Sequence, residues 1–363
     1  MKLVKPLLFF SLIFCFGTLQ AQDIHYTLFN MSPLSLNPAQ TGAFNGTFRI
    51  GGIYRDQWTG VISGAGFTTP SVYVDAPIIK GFGKRDWIGV GATLINDEVG
   101  THNLQTNHFL FSGAYHLALD KKANSILTFG VQAGSVTRRL LDANLNFADE
   151  YDFAAGEFIR GSGANQATGG QNNQNELLFG NATYTDFSAG LMLRTLVGKE
   201  SQLEVGFALN HITRPDYSLV GVDQNPNPGP GGPNLPKDAP RPFTSTAHAR
   251  LDVGLTDLWS LSPRILFQST SGATELAAQA WAGRIINKDV NLNVGLGYRV
   301  GDSAQALFGI DYRDLRVALS YDINVSSITA ITNSVGGFEV AAYYIVKIFK
   351  KPTVKPAILC PRF

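Results

Sequence analysis

The chain has 363 residues, with 29 Lys and Arg against 28 Asp and Glu, only 16% charged residues and 38 glycines. An ordinary soluble domain carries roughly 25% charged residues and about 7% glycine. The low, balanced charge and the two cysteines exclude a disordered chain, a basic nucleic-acid binder and a disulfide-stapled scaffold. A polytopic helical membrane protein is excluded too. It needs several runs of roughly 20 apolar residues, and past residue 21 the longest near-apolar stretch is Tyr343 to Phe349.

Residues 1–21 have the pattern of a secretory signal peptide. Lys2 and Lys5 form a positive start, Leu7 to Phe16 an apolar run, and Leu19-Gln20-Ala21 a small-residue site before a cut ahead of Gln22. Bulky Phe14 before Cys15 argues against a lipoprotein site. Removing Lys2 and Lys5 leaves 27 basic against 28 acidic residues, a formal charge of −1, and a single cysteine, Cys360. Residues 22–45 follow as a periplasmic or plug segment, in which Pro33 and Pro38 break any regular element.

From residue 46 the chain reads as strands. At 246–255 Ala247, Ala249, Leu251, Val253 and Leu255 alternate with Thr246, His248, Arg250, Asp252 and Gly254. At 290–300 Leu292, Val294, Leu296, Tyr298 and Val300 alternate with Asn291, Asn293, Gly295, Gly297 and Arg299. A period of two over eight or more residues is strand. Fourteen such segments are predicted, near 46–58, 65–77, 86–97, 105–119, 125–139, 184–197, 201–212, 243–255, 259–269, 273–286, 290–300, 303–313, 315–323 and 337–349. The long strands and their even number favour a transmembrane barrel (46–349) over a soluble sandwich. So do aromatics near strand ends, at Trp58, Trp87, Tyr115, Tyr184, Trp259, Tyr298 and Tyr344, which are expected to form interfacial girdles. Loop parity agrees. With a periplasmic N-terminus, the connections after even strands (120–124, 198–200, 256–258, 287–289) are short, and both long ones, 140–183 and 213–242, fall outside. The fold class is therefore all-β, an antiparallel outer-membrane β-barrel of about 14 strands with long extracellular loops.

The long loops contain GSGANQATGGQNNQN and QNPNPGPGGPNLP, either flexible surface or a landing platform for a partner. Phe147, Tyr151, Phe153 and Phe158 suggest that part of the first folds onto the mouth. The tail, 350–363, holds Pro352, Pro356 and Pro361 and is expected to be periplasmic, either a loose end or a docking segment. Its Cys360 reads as a small hydrophobe rather than a reactive thiol.

Motifs for chemistry are absent. No zinc-ligand spacing, nucleophile elbow or phosphate loop occurs, and GVGATL at 89–94 lacks its third glycine. No catalytic residue, cofactor, metal or nucleic-acid partner is expected. Luminal charges are predicted at Arg49, Arg55, Glu204, Arg250, Asp252, Arg264, Arg299, Asp311, Arg313, Arg316, Asp322 and Glu339, with His108 and His116 also inward. Mixed signs suit a cross-linked or plugged lumen better than an ion-selective ring.

Several features resemble the PorP/SprF family of type IX secretion and gliding-motility membrane proteins. Near the start they are Phe29-Asn30, Asn37-Pro38-Ala39, Gly42, Tyr54-Arg55 and Gln57-Trp58. Toward the end they are Ser320-Tyr321-Asp322, Gly337 to Glu339 and Cys360-Pro361-Arg362-Phe363. Asp56, where the family usually has Asn, and Phe338, where a Thr-His pair often precedes the Glu, depart from the pattern. The resemblance implies a non-enzymatic outer-membrane barrel of Bacteroidota, embedded in outer-membrane lipid. Its implied partners are a secreted adhesin or its C-terminal domain, or a type IX periplasmic ring or peptidoglycan-binding lipoprotein. A passive porin is the alternative, and a hydrolase using a luminal histidine such as His116 a third.

Overall fold

The computed structural model describes residues 24–59, 61, 66–80, 85–100, 104–140, 151–152, 157–158, 181–198, 201–217, 240–271, 273–326 and 329–348. The signal segment, the bulk of both long loops and the tail with Cys360, Pro361, Arg362 and Phe363 lie outside them.

Fourteen antiparallel strands close into one barrel. In chain order they are β1 (Phe48–Gln57), β2 (Phe67–Lys80), β3 (Trp87–Val99), β4 (Leu104–Ala118), β5 (Ser125–Leu140), β6 (Asn181–Leu196) and β7 (Ser201–Asn210). They continue as β8 (Thr244–Gly254), β9 (Trp259–Thr270), β10 (Ala273–Ile285), β11 (Val290–Arg299), β12 (Ser303–Tyr312), β13 (Leu315–Asn324) and β14 (Val335–Val346). Each strand pairs with its sequence neighbours, and β14 closes on β1 from Phe48↔Val346 to Gln57↔Gly337. Closure satisfies every edge, as a spanning sheet requires. A two-residue ladder, Tyr151–Asp152 with Glu157–Phe158, stands apart from the barrel.

The alternation sorts side chains as the period-two pattern predicts. Val72, Leu94, Phe111, Val131, Val294 and Leu296 face outward, Leu296 at 74% exposure, while Thr93, His116, Arg55 and Glu339 are buried inside. An apolar exterior around a polar interior belongs to a barrel in lipid. Among the described residues no helix is long and apolar enough to cross a membrane; the crossings are strands. The connections after even strands keep to short turns such as 119–124, 255–258, 286–289 and 313–314, and the long ones follow β5 and β7.

Two groups of expectations need correcting. Trp87 and Tyr184 do not join a lipid-facing girdle. Trp87 stacks on inward-facing His116 at 4.3 Å, and Tyr184 lines the inner mouth. Trp58 leaves the strand at positive φ and packs edge-on against Phe67. Tyr115, Trp259, Tyr298 and Tyr344 do face outward. A one-residue difference in strand parity is enough to exchange the faces. Arg313 is not luminal either: it occupies the β12–β13 turn at positive φ and pairs with Asp289 on the surface at 3.1 Å.

The lumen is filled by residues 24–43. They run as a 3-10 turn (Phe29–Met31), the single helical turn α1 (Pro33–Leu36) and a second 3-10 turn (Pro38–Gln40). Their apolar side chains form the core. Tyr26, Leu28 and Met31 pack on Ile53, Trp281, Leu307, Ala318 and Ala341. Phe29 and Leu36 meet Leu266 and Ala277, and Ala39 and Ala43 meet Met192. Fourteen strands enclose more space than wall side chains alone fill, and this segment takes up part of the difference.

Candidate functional site: the filled lumen and its mouth

The luminal segment has a fixed polarity. Its N-terminal end, Ile24 and His25, lies with Trp58, His211 and Tyr217 at the end of the barrel that carries the long loops. Its C-terminal end, Gly42 and Ala43, lies at the short-turn end, where Arg194 Nη1 donates to the Ala43 carbonyl at 2.9 Å.

Near the long-loop end the anchor is ionic. Glu339 Oε1 and Oε2 accept the backbone N–H groups of Thr27 and Leu28, each at 2.7 Å, and Oε1 also pairs with Arg55 Nη1 at 2.5 Å. Thr27 Oγ1 sits 2.8 and 2.7 Å from the two oxygens of Asp322 and accepts from Arg299 Nη2 at 2.9 Å. Gln279 Nε2 reaches the Thr27 carbonyl at 2.7 Å. The β13–β14 register shifts between Tyr321 and Ile323, at Asp322 itself; bulges of this kind re-aim a side chain. Every polar atom of Thr27 is thereby satisfied by the wall, as a buried segment with little secondary structure of its own requires.

Toward the short-turn end the anchor is built from close approach and hydrogen bonds. Asn37 is fully buried. Its Oδ1 accepts from Ala39 N at 2.9 Å, and its Nδ2 donates to the carbonyls of Leu191 and Phe207 at 3.2 and 3.3 Å. A Cβ at Gly190 would collide with Asn37 Oδ1, and one at Gly130 with the Ala39 backbone; the missing side chains are what let Asn37-Pro38-Ala39 touch the wall. Asp75 bonds Gly42 N at 2.7 Å while Arg49 grips it with Nε and Nη2 at 2.9 and 2.8 Å. His116 is fully buried, with Nε2 2.9 Å from the Thr41 carbonyl and Nδ1 2.9 Å from Thr128 Oγ1. A carbonyl can only accept, so Nε2 carries the proton and both ring nitrogens are engaged.

The sequence-highlighted residues thus divide by position. Arg55, Asp322 and Glu339 meet around Thr27, and Gln57 Oε1 accepts from Arg55 Nη2 at 2.8 Å. Phe29, Asn37 and Pro38 are buried in the luminal segment. Asn30 is half-buried there, with its Oδ1 unbonded. Tyr54 and Tyr321 point outward, 41% and 42% exposed. Thr27 and Asp75 escaped sequence reasoning. The one signal for Asp75 was a charge at an inward position of β2, and Thr27 carries none.

At the long-loop end a cavity of about 480 Å³ remains above the filled lumen, lined by His25, Arg55, Trp58, Arg138, His211 and Tyr217 among others. His211 Nδ1 lies 2.6 Å from Asp186, and the Arg138 guanidinium lies 5.0 Å from the Tyr217 ring centre. Among the described residues no group of His, Cys, Asp or Glu could hold a metal ion.

Solved barrels resemble the fold at low identity. The Pseudomonas putida toluene transporter TodX is 12% identical, with 87% of this chain and 93% of that one covered at a TM-score of 0.46. A Pseudomonas aeruginosa FadL homologue is 14% identical, covering 86% and 94% at 0.45. The translocator domain of the Neisseria meningitidis autotransporter NalP is 11% identical, covering 87% and 95% at 0.40. Such slight likenesses transfer no role. No curated protein matches the chain. The family model described as type IX secretion system membrane protein PorP/SprF matches residues 18–344, and the chain belongs to that family.

Proposed function

We propose that the protein is a non-enzymatic outer-membrane barrel of the type IX secretion system that anchors a secreted surface protein, an adhesin held through its C-terminal domain, at the long-loop mouth. The observation that carries this reading is the filled lumen. Residues 24–43 occupy the lumen with an apolar core and leave a cavity at the mouth, which suits docking better than passage. Docking needs shape and exposed groups rather than an activated acid or nucleophile. His116, with both nitrogens bonded inside the wall, is poorly placed for hydrolysis. The signal-peptide pattern of residues 1–21 supports export.

Purification from the native outer membrane in mild detergent, with identification of every co-purifying chain, tests the reading. A large secreted protein in stoichiometric amount is expected. A periplasmic ring component or peptidoglycan-binding lipoprotein in its place would move the contact to the short-turn end and make the barrel a coupling element. A barrel that emerges alone from several detergents and conducts ions in a planar bilayer would overturn docking in favour of a channel.

A further inference from the structure

A second cavity of about 480 Å³ lies between the luminal segment and β8–β14, toward the short-turn end, and contains an uncompensated cation. Arg250 and Arg264 stand directly opposite each other on β8 and β9, a like-charge cross-strand pair that is destabilising unless neutralised. Arg250 is neutralised: it lies 3.3 Å from Glu204 and 3.1 Å from Asp252. Glu204 also pairs with Arg194 at 2.7 Å, and Asp311 pairs with Arg316. Asp252 accepts from Ser262 as well, and Asp311 from Asn291 and Asn293, both at 3.2 Å. Four arginines therefore face three carboxylates, each already engaged.

Arg264 is the one left over. Among the described residues it has no ion-pair partner, its Nε and Nη1 are buried without an acceptor, and its guanidinium rests against the Trp281 ring at 5.1 Å. Two acceptors on the same cavity wall, Asn30 Oδ1 and Asn291 Oδ1, lack donors. Buried groups in this state cost stability unless something completes them. A ligand matching them has one negative charge for Arg264, hydroxyl donors for the two amides and a short carbon skeleton beside Trp281. The volume is within the usual range of small-molecule sites.

We propose that this cavity is a binding site for a small hydroxylated monocarboxylate of the sugar-acid kind, entering from the short-turn side. It lies at the other end of the barrel from the mouth and stands apart from the docking reading.

The test is titration of the full-length detergent-solubilised barrel with gluconate by calorimetry, together with thermal melting. Acetate supplies the charge without hydroxyls, and glucose the hydroxyls without the charge. Saturable binding of gluconate is expected, with acetate and glucose each at least tenfold weaker. Arg264→Met should lose at least tenfold in gluconate affinity. That variant should also melt above the wild type without ligand, because the opposed cations are gone, and its midpoint should no longer rise with gluconate. Failure of the wild type to bind gluconate saturably overturns the proposal. So does an Arg264→Met barrel that binds it equally well, or glucose binding as tightly as gluconate. Acetate matching gluconate overturns the hydroxyl part and reduces the site to one for simple anions.

Discussion

Glu339 holds two backbone amides and one guanidinium with a single carboxylate that is itself only 1% exposed. Breaking a buried ion pair by removing one partner costs about 3–5 kcal/mol, because the remaining charge is stranded. Glu339→Met and Arg55→Met are each expected to lower the unfolding free energy of the folded, gel-shifting barrel by an amount in that range, read from the denaturant midpoint and slope. The double variant should lose clearly less than the sum, and additive losses would dissolve the pairing. Asp120 offers a pH counterpart outside the membrane span. Lost hydration pushes its carboxyl up, but the N–H groups of Asn124, Ser125, Lys122 and Ala123 more than reverse this and hold its pKa below the ordinary value. A carboxyl depressed on folding stabilises above its unfolded pKa of about 3.9 and loses that contribution as pH falls through the lower folded value. Protection factors of the Lys122 and Ser125 amides should therefore drop only below about pH 4. In Asp120→Ala they should be low at every pH, and a wild-type profile that is flat into strong acid would remove Asp120 from the turn's support.

At the scale of elements, the luminal segment and the wall were shaped for each other. Gly190 is absent of side chain where Asn37 presses in, so Gly190→Val must push the Asn37–Ala39 turn off β5 and β6. The wild type is expected to show no resolved conductance steps in a planar bilayer, whereas Gly190→Val and a deletion of residues 24–43 should both show them. A silent deletion variant would mean that something other than this segment closes the pore. The strands were legible in the sequence almost to their ends, because a barrel wall imposes an unbroken period of two; β5, expected over 125–139, spans Ser125–Leu140. The luminal segment was not legible in the same way. It has no period, its three turns are each three or four residues long, and its conformation is dictated by the wall. Arg55, Asp322 and Glu339 stood out singly as inward charges, but nothing in their spacing said that they converge on Thr27. The girdle was misread at Trp87 and Tyr184 because an aromatic at a strand end satisfies a membrane interface and a lumen equally well until parity is fixed.

For the molecule as a whole, the luminal segment ties sidedness to sequence. Its first described residues sit at the mouth and its last at the short-turn end. With the long loops outside, the Ile24 end of the segment lies at the extracellular mouth although β1 starts at the periplasmic rim. In a Cys360→Ser background, Ile24→Cys on intact cells should react with a membrane-impermeant maleimide, and Asn287→Cys should react only after the outer membrane is opened. The reverse pattern would invert the orientation of the barrel.

The anchor of the luminal segment also fixes when folding can finish. Thr27 is joined to Asp322 and Glu339 across 295 and 312 residues of chain, so residues 24–43 wait for β13 and β14. Contacts this distant in sequence make folding slow, since the entropy of closing the loop is spent before any contact forms. Until β13 and β14 arrive, residues 24–43 have neither their counter-charges nor a closed wall around them. Docking of the segment and sealing of the β1–β14 seam are thus expected to be a single late event. An interrupted barrel would hold its apolar N-terminal stretch exposed in the periplasm, dependent on chaperones and open to proteolysis.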